Sequence, residues 1–139
     1  MSLSRLCAGI NAAIFAALGA LHVYWAAGGQ SGKAVTVPER GGRPAFDPGP
    51  PMTLAVAGGL FAACGVVLTR AGSLRLMPAH ISRLGAVVLA LLFAARAIGN
   101  FSTVGFSKRV RGTSFATWDD RLFSPLCGLV SSLSFGASR

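Results

Sequence analysis

Four apolar runs alternate with polar segments along this chain. They cover residues 6–27, 52–69, 84–98 and 122–135, and glycine, proline and basic residues fill the gaps. A helix of about 22 residues rises roughly 33 Å, enough to cross the hydrocarbon core of a bilayer. The pattern predicts spans over about 6–27, 52–69, 81–99 and 118–136 in a single domain covering 1–139. The fourth run reaches spanning length only if its helix starts near Trp118, which sets Asp119 and Asp120 in the first turn. Thr117, three residues before Asp120, then reads as a capping box, and acids there suit the helix dipole. Pro125 lies inside that helix and frees the carbonyl of Arg121. The expected fold class is all-α, an integral membrane antiparallel four-helix bundle.

The first run has a competing reading as a signal peptide, with Arg5 as its charged flank. It is longer than an ordinary apolar signal core and holds Asn11 and His22, so a retained span is expected. The segment 28–51 carries too many glycines and prolines for helix or strand to propagate. It is long for a bundle connection, and reads as a lid over the bundle mouth or as a flexible linker.

Composition supports the membrane class. Hydrophobic residues make up 53% and charged residues 12%, with a mean hydropathy of +0.61. The 18 glycines suit close helix contacts in lipid. A net charge of +9 could indicate nucleic acid, but the basic residues are scattered over loops and termini, which fits anionic headgroups better. Membrane lipids are therefore expected partners and nucleic acid is not. If the N-terminus is cytoplasmic, five Lys and Arg residues lie on its side and eight on the other. That count favours the opposite orientation, yet long loops weigh little in the rule and Arg96 reads as buried. The expectation kept is both termini inside. Cys7, Cys64 and Cys127 form no CxxC and lie in apolar runs, so neither a disulfide framework nor a zinc site is expected. His22 and His80 are distant and offer no ligand-spaced pair, so no metal is expected, and with no phosphate-cradling glycine motif and no Gly-x-Ser-x-Gly elbow no cofactor is expected either.

Antiparallel spans bring the end of helix one, the end of helix three and the start of helix four to one face. His22 and Trp25 lie at the first, Arg96, Asn100 and Phe101 at the second, and Trp118, Asp119 and Asp120 at the third. Asn11, Phe15, Leu18, His22 and Trp25 form one stripe of helix one, and Arg96 shares a helix face with Asn100. With both stripes inward, His22, Arg96, Asn100 and Asp119 would meet. An Arg–Asp pair offsets the desolvation of both charges, and a histidine beside a carboxylate is a proton-transfer pair near neutral pH. Plainer roles stand beside these: Trp25 and Trp118 as interfacial anchors, Arg96 reaching for headgroups, His22 bonded to a backbone carbonyl and Asn11 joining helices.

His22-Val-Tyr-Trp25 with Gly28-Gly29, Arg96-Ala-Ile-Gly-Asn-Phe101, Phe115-Ala-Thr-Trp-Asp119 and Ser124-Pro-Leu-Cys127 together resemble a family of small bacterial four-span membrane proteins. That family is catalogued only as a domain of unknown function. The resemblance implies four spans and singles out His22, Trp25, Arg96, Asn100, Trp118 and Asp119 over Asp120. It implies no activity. Where that family often has tyrosine before Ser-Pro, this chain has Phe123, so no phenol is available.

The function expected is a multi-pass cell-membrane protein with a polar site at one mouth, for a hydrophobic or lipid-like small molecule. As an enzyme it would use His22 or Asp119 as acid or base, with Arg96 holding an anionic or carbonyl group. Trp25, Asn100, Phe101, Trp118 and Asp120 would line the site. Isomerisation or cyclisation of a prenyl-type chain is one reaction of that kind. An alternative is a non-catalytic accessory or structural subunit docking a partner protein. A small transporter is a third reading, and the lack of a mid-membrane acid counts against it.

Overall fold

The computed structural model describes residues 2–139. Five helical segments, α1 (Leu3–Ala26), α2 (Pro50–Ala71), α3 (Ala79–Ile98), α4 (Ser114–Trp118) and α5 (Ser124–Ser138), account for the bundle. A π turn, Asp119–Phe123, joins α4 to α5, so the last helix runs continuously from Ser114 to Ser138. The chain is an all-α four-helix bundle. α1, α2 and α3 are each long and apolar enough to cross a membrane.

Local chemistry sets the ends. Ser2 caps α1 by accepting the Arg5 N–H at 3.4 Å. Pro50 and Pro51 open α2, where a missing N–H costs nothing, so that helix begins earlier than the apolar run. Gly72, at φ +79°, closes it by donating to Leu68 and Thr69 carbonyls.

Helix α1 packs along α2 and α5, and α3 packs along α5 and, less extensively, α2, so α1 and α3 sit diagonally. The core is built from small residues: Ala8, Ala12, Ala63 and Ala137 around Phe15, Val67 and Val130. Leu84, Leu91, Leu92 and Leu54 face outward, at least half exposed. Small side chains inside and large aliphatic ones outside suit a lipid environment, where close backbone approach holds helices together. Asn11 is fully buried and donates to Ser134 Oγ at 2.8 Å, joining α1 to α5.

The segment 28–49 is folded. It contains a short 3₁₀ turn (Lys33–Val35) and a two-residue ladder pairing β1 (Glu39–Arg40) with β2 (Arg43–Pro44). The breakers thus limit regular structure to short pieces without abolishing it. Trp25 Nε1 donates to the Ser31 carbonyl at 2.8 Å, which pins the start of this segment to α1.

The fourth helix departs from expectation at its start. Its cap is Thr113, whose hydroxyl accepts the Ala116 N–H at 3.0 Å, not Thr117. Thr117 donates its hydroxyl to the Thr113 carbonyl instead. No capping box therefore forms, because the chain already turns helical at Ser114 and carries Asp119 and Asp120 beyond the first turn.

Candidate functional site

Two constellations occupy the mouth of the bundle. The first begins where α3 ends. At Gly99 (φ +97°) an added Cβ would stand 1.8 Å from the Val104 carbonyl oxygen, and at Gly105 (φ +83°) one would stand 2.3 Å from Gly99 Cα. Only paired glycines let the chain double back this tightly. Asn100 organises the turn: its Oδ1 accepts the N–H groups of Ser102, Thr103 and Val104 at 3.0, 2.8 and 3.0 Å. Phe101 is held at φ +58°, a conformation that costs a non-glycine residue energy and survives here because the turn fixes it.

This turn delivers Lys108 into the protein. Its ammonium is fully buried and donates to the Gly105 carbonyl and Asp119 Oδ2, both at 3.0 Å, and to Asp120. Asp119, also fully buried, accepts Arg96 Nη2 on Oδ1 at 2.8 Å and the Gly105 N–H on Oδ2 at 2.8 Å. Asp120 pairs outward with Arg111 at 3.0 Å. Three cations and two carboxylates thus tie the end of α3, the 99–113 loop and the π turn into one knot. Both Asp119 oxygens are engaged by donors, so the carboxylate is an anchor for charge and backbone together. Arg96 Nη1 and Ser124 Oγ are buried with no partner among the described residues.

The second constellation is a cavity of about 220 Å³ between α1, α2 and the 28–49 segment. His22 and Trp25 line it from α1, Lys33, Val37 and Phe46 from the connecting segment, and Met52, Thr53 and Val56 from α2. The rings of His22 and Trp25 meet edge to face, 5.0 Å apart. His22 Nδ1 lies 2.8 Å from the Leu18 carbonyl oxygen, so the neutral ring carries its proton there and keeps the lone pair on Nε2. Among the described residues no group of three His, Cys, Asp or Glu side chains is placed to hold a metal ion.

The profile of a family described as "Protein of unknown function (DUF3995)" matches residues 15–134. The chain belongs to this family. No curated protein and no solved structure matches it. The DUF3995 region includes both constellations, from His22 to the π turn, and leaves their chemistry to be argued from geometry.

Arg96, Asp119 and Asp120 come together in one knot, and Asn100 shapes the turn that carries Gly105 and Lys108 into it. His22 does not join them: no hydrogen bond or ion pair links it to Arg96, Asn100 or Asp119 among the described residues. The expected four-way meeting fails because α1 and α3 are diagonal in the bundle, so His22 faces the α2 side. Trp25 stays with His22 at the cavity, whereas Phe101 and Trp118 are exposed at the rim, at 63% and 46%. The sequence alone does not single out Lys108 among the basic residues of its loop. The available signal was the adjacent pair Asp119–Asp120, which burial would oblige to find more than one cation.

Proposed function

We propose that this DUF3995 protein is a multi-pass protein of the cell membrane that binds an apolar, lipid-like small molecule in the cavity beneath the 28–49 segment. The observation that carries this reading is the cavity itself: about 220 Å³, apolar over most of its wall, with His22, Lys33, Thr36 and Thr53 among its polar points. That volume suits a chain segment or a ring, with Lys33 at hand for an anionic or carbonyl head. The outward leucines and the three long apolar helices support residence in lipid. Phe101, Phe106 and Trp118, exposed around the mouth, suit the interfacial zone.

Within this site His22 is the acid–base group. Its Nδ1–H is held by the Leu18 carbonyl, which fixes the ring and leaves Nε2 free to accept a proton. Asp119 already accepts from Arg96, Gly105 and Lys108, and Arg96 is committed to it, so both position the mouth. Native mass spectrometry of the full chain, extracted in mild detergent, tests the binding. A co-purifying apolar species that is lost in Val56→Trp, which fills the cavity, is the expected result. The same species retained in both proteins would remove the cavity from consideration. His22→Gln, compared with the parent for the chemical form of the retained species, tests the proton-transfer role.

A further inference from the structure

The four acidic residues, Glu39, Asp47, Asp119 and Asp120, all lie toward the mouth. The opposite end carries Arg5, Arg70, Arg75, Arg83 and Arg139 with no acidic side chain among the described residues. Arg70, His80, Arg83 and Arg139 line one open cleft of about 320 Å³, contributed by the end of α2, the start of α3 and the end of α5. Arg5 and Arg75 line an adjoining cleft that shares Arg70. Arg70 is engaged in holding the bundle together, since its Nε donates to the Ala137 carbonyl at 2.9 Å and its Nη2 to the Arg139 carbonyl at 3.0 Å. It thereby neutralises the negative end of α5. Arg83 and Arg139 make no ion pair among the described residues. Helix α3, 20 residues long, opens on the same cleft with no capping side chain and no acid in its first turn.

We propose that this cleft binds a phosphate-bearing anion, presented as the headgroup of an anionic phospholipid. Guanidinium groups match phosphate oxygens by paired N–H donors, and the uncapped start of α3 adds free backbone N–H groups and a positive dipole end. The site lies at the other end of the bundle from the cavity and does not depend on it.

The test uses the full chain in detergent, titrated with dioleoylphosphatidylglycerol or dioleoylphosphatidylcholine and read by native mass spectrometry. The parent should retain the anionic phosphatidylglycerol in preference. Arg83→Gln with Arg139→Gln should weaken that retention about tenfold or more, at roughly 1 kcal/mol for each juxtamembrane cation. Arg43→Gln with Arg109→Gln removes equal charge at the opposite end and should leave the preference in place. Equal retention of the two lipids by the parent, or unchanged retention in the cleft variant, overturns the proposal. Inorganic phosphate at millimolar concentration distinguishes the source. Thermal protection by phosphate alone, lost in the cleft variant, assigns free phosphate, and lipid retention indifferent to phosphate assigns the headgroup. Should the cleft variant fold poorly, a headgroup-photoreactive phosphatidylglycerol on the parent decides. Adducts at residues 79–83 and 138–139 support the site, and adducts confined to the other end overturn it.

Discussion

Asp119 Oδ1 stands 2.8 Å from Nη2 of Arg96, and the two residues belong to helical segments separated by the whole 99–113 loop. The pair is the hinge pin of the mouth, because the second Asp119 oxygen holds the loop through Gly105 N–H and Lys108. Removing the carboxylate leaves a fully buried ammonium with one carboxylate partner fewer and an arginine with none. Asp119→Ala should therefore cost about 3–5 kcal/mol, as for other broken buried pairs. Arg96→Gln should cost less, about 1–3 kcal/mol, since the Arg96 side chain is one-third exposed and water takes up part of the loss. Thermal unfolding in detergent measures both. Equal small losses would mean that the knot is decoration.

Gly99 should be as sensitive as Asp119, though it carries no charge. A Cβ there would collide with the Val104 carbonyl and open the turn that delivers Gly105 and Lys108. Gly99→Ala and Asp119→Ala then damage one unit, and their combined cost should fall well short of the sum. A double-mutant cycle reads this directly, and additivity within about 0.5 kcal/mol would show two independent sites.

How much of this was legible beforehand follows from the range of the interactions. The helices were legible, since apolar runs of bilayer length leave the backbone little choice but to satisfy itself. The Arg96–Asp119 pairing followed from antiparallel spans bringing two costly charges to one face. Helical spacing sets His22 on the inward stripe but not beside its actual neighbours, because it fixes which side faces inward and says nothing about which helices lie on a diagonal. Lys108 was hidden by its loop: nothing in a basic, glycine-bearing stretch marks one lysine for burial until the fold brings two aspartates over it. Thr117 was a reasonable cap by pattern, but Thr113 has the same chemistry one turn earlier.

The cover over the cavity should depend on Trp25. Its indole N–H holds the Ser31 carbonyl at 2.8 Å while its ring lines the cavity wall. Trp25→Phe keeps an aromatic ring and deletes the donor, at a cost of about 1 kcal/mol, the worth of one such bond. The visible consequence should be local: faster amide hydrogen exchange across residues 28–37, with the helices unchanged. Exchange that rises throughout the bundle, or not at all, would show that the indole N–H does not hold the segment down.

The π turn sets the direction in which Asp119 points. Ser124 N–H bonds back five residues, to the Asp119 carbonyl, so the turn holds one residue more than an α-helix would. Pro125 follows at once, with no N–H and a ring that crowds the carbonyl four residues before it, which favours the wider turn. Deleting Leu122, which is 45% exposed, together with Pro125→Ala should close the turn to α geometry. Each residue in an α-helix advances the face by about 100°, so Asp119 would rotate away from Arg96 and Lys108 while helicity persists. Circular dichroism should therefore change little and the melting temperature should fall about as far as in Asp119→Ala. In that background Asp119→Ala should add less than about 0.5 kcal/mol, since the carboxylate has already lost its partners. A full additional loss would show that the carboxylate keeps its cations without the extra residue, and that the π turn serves some other end.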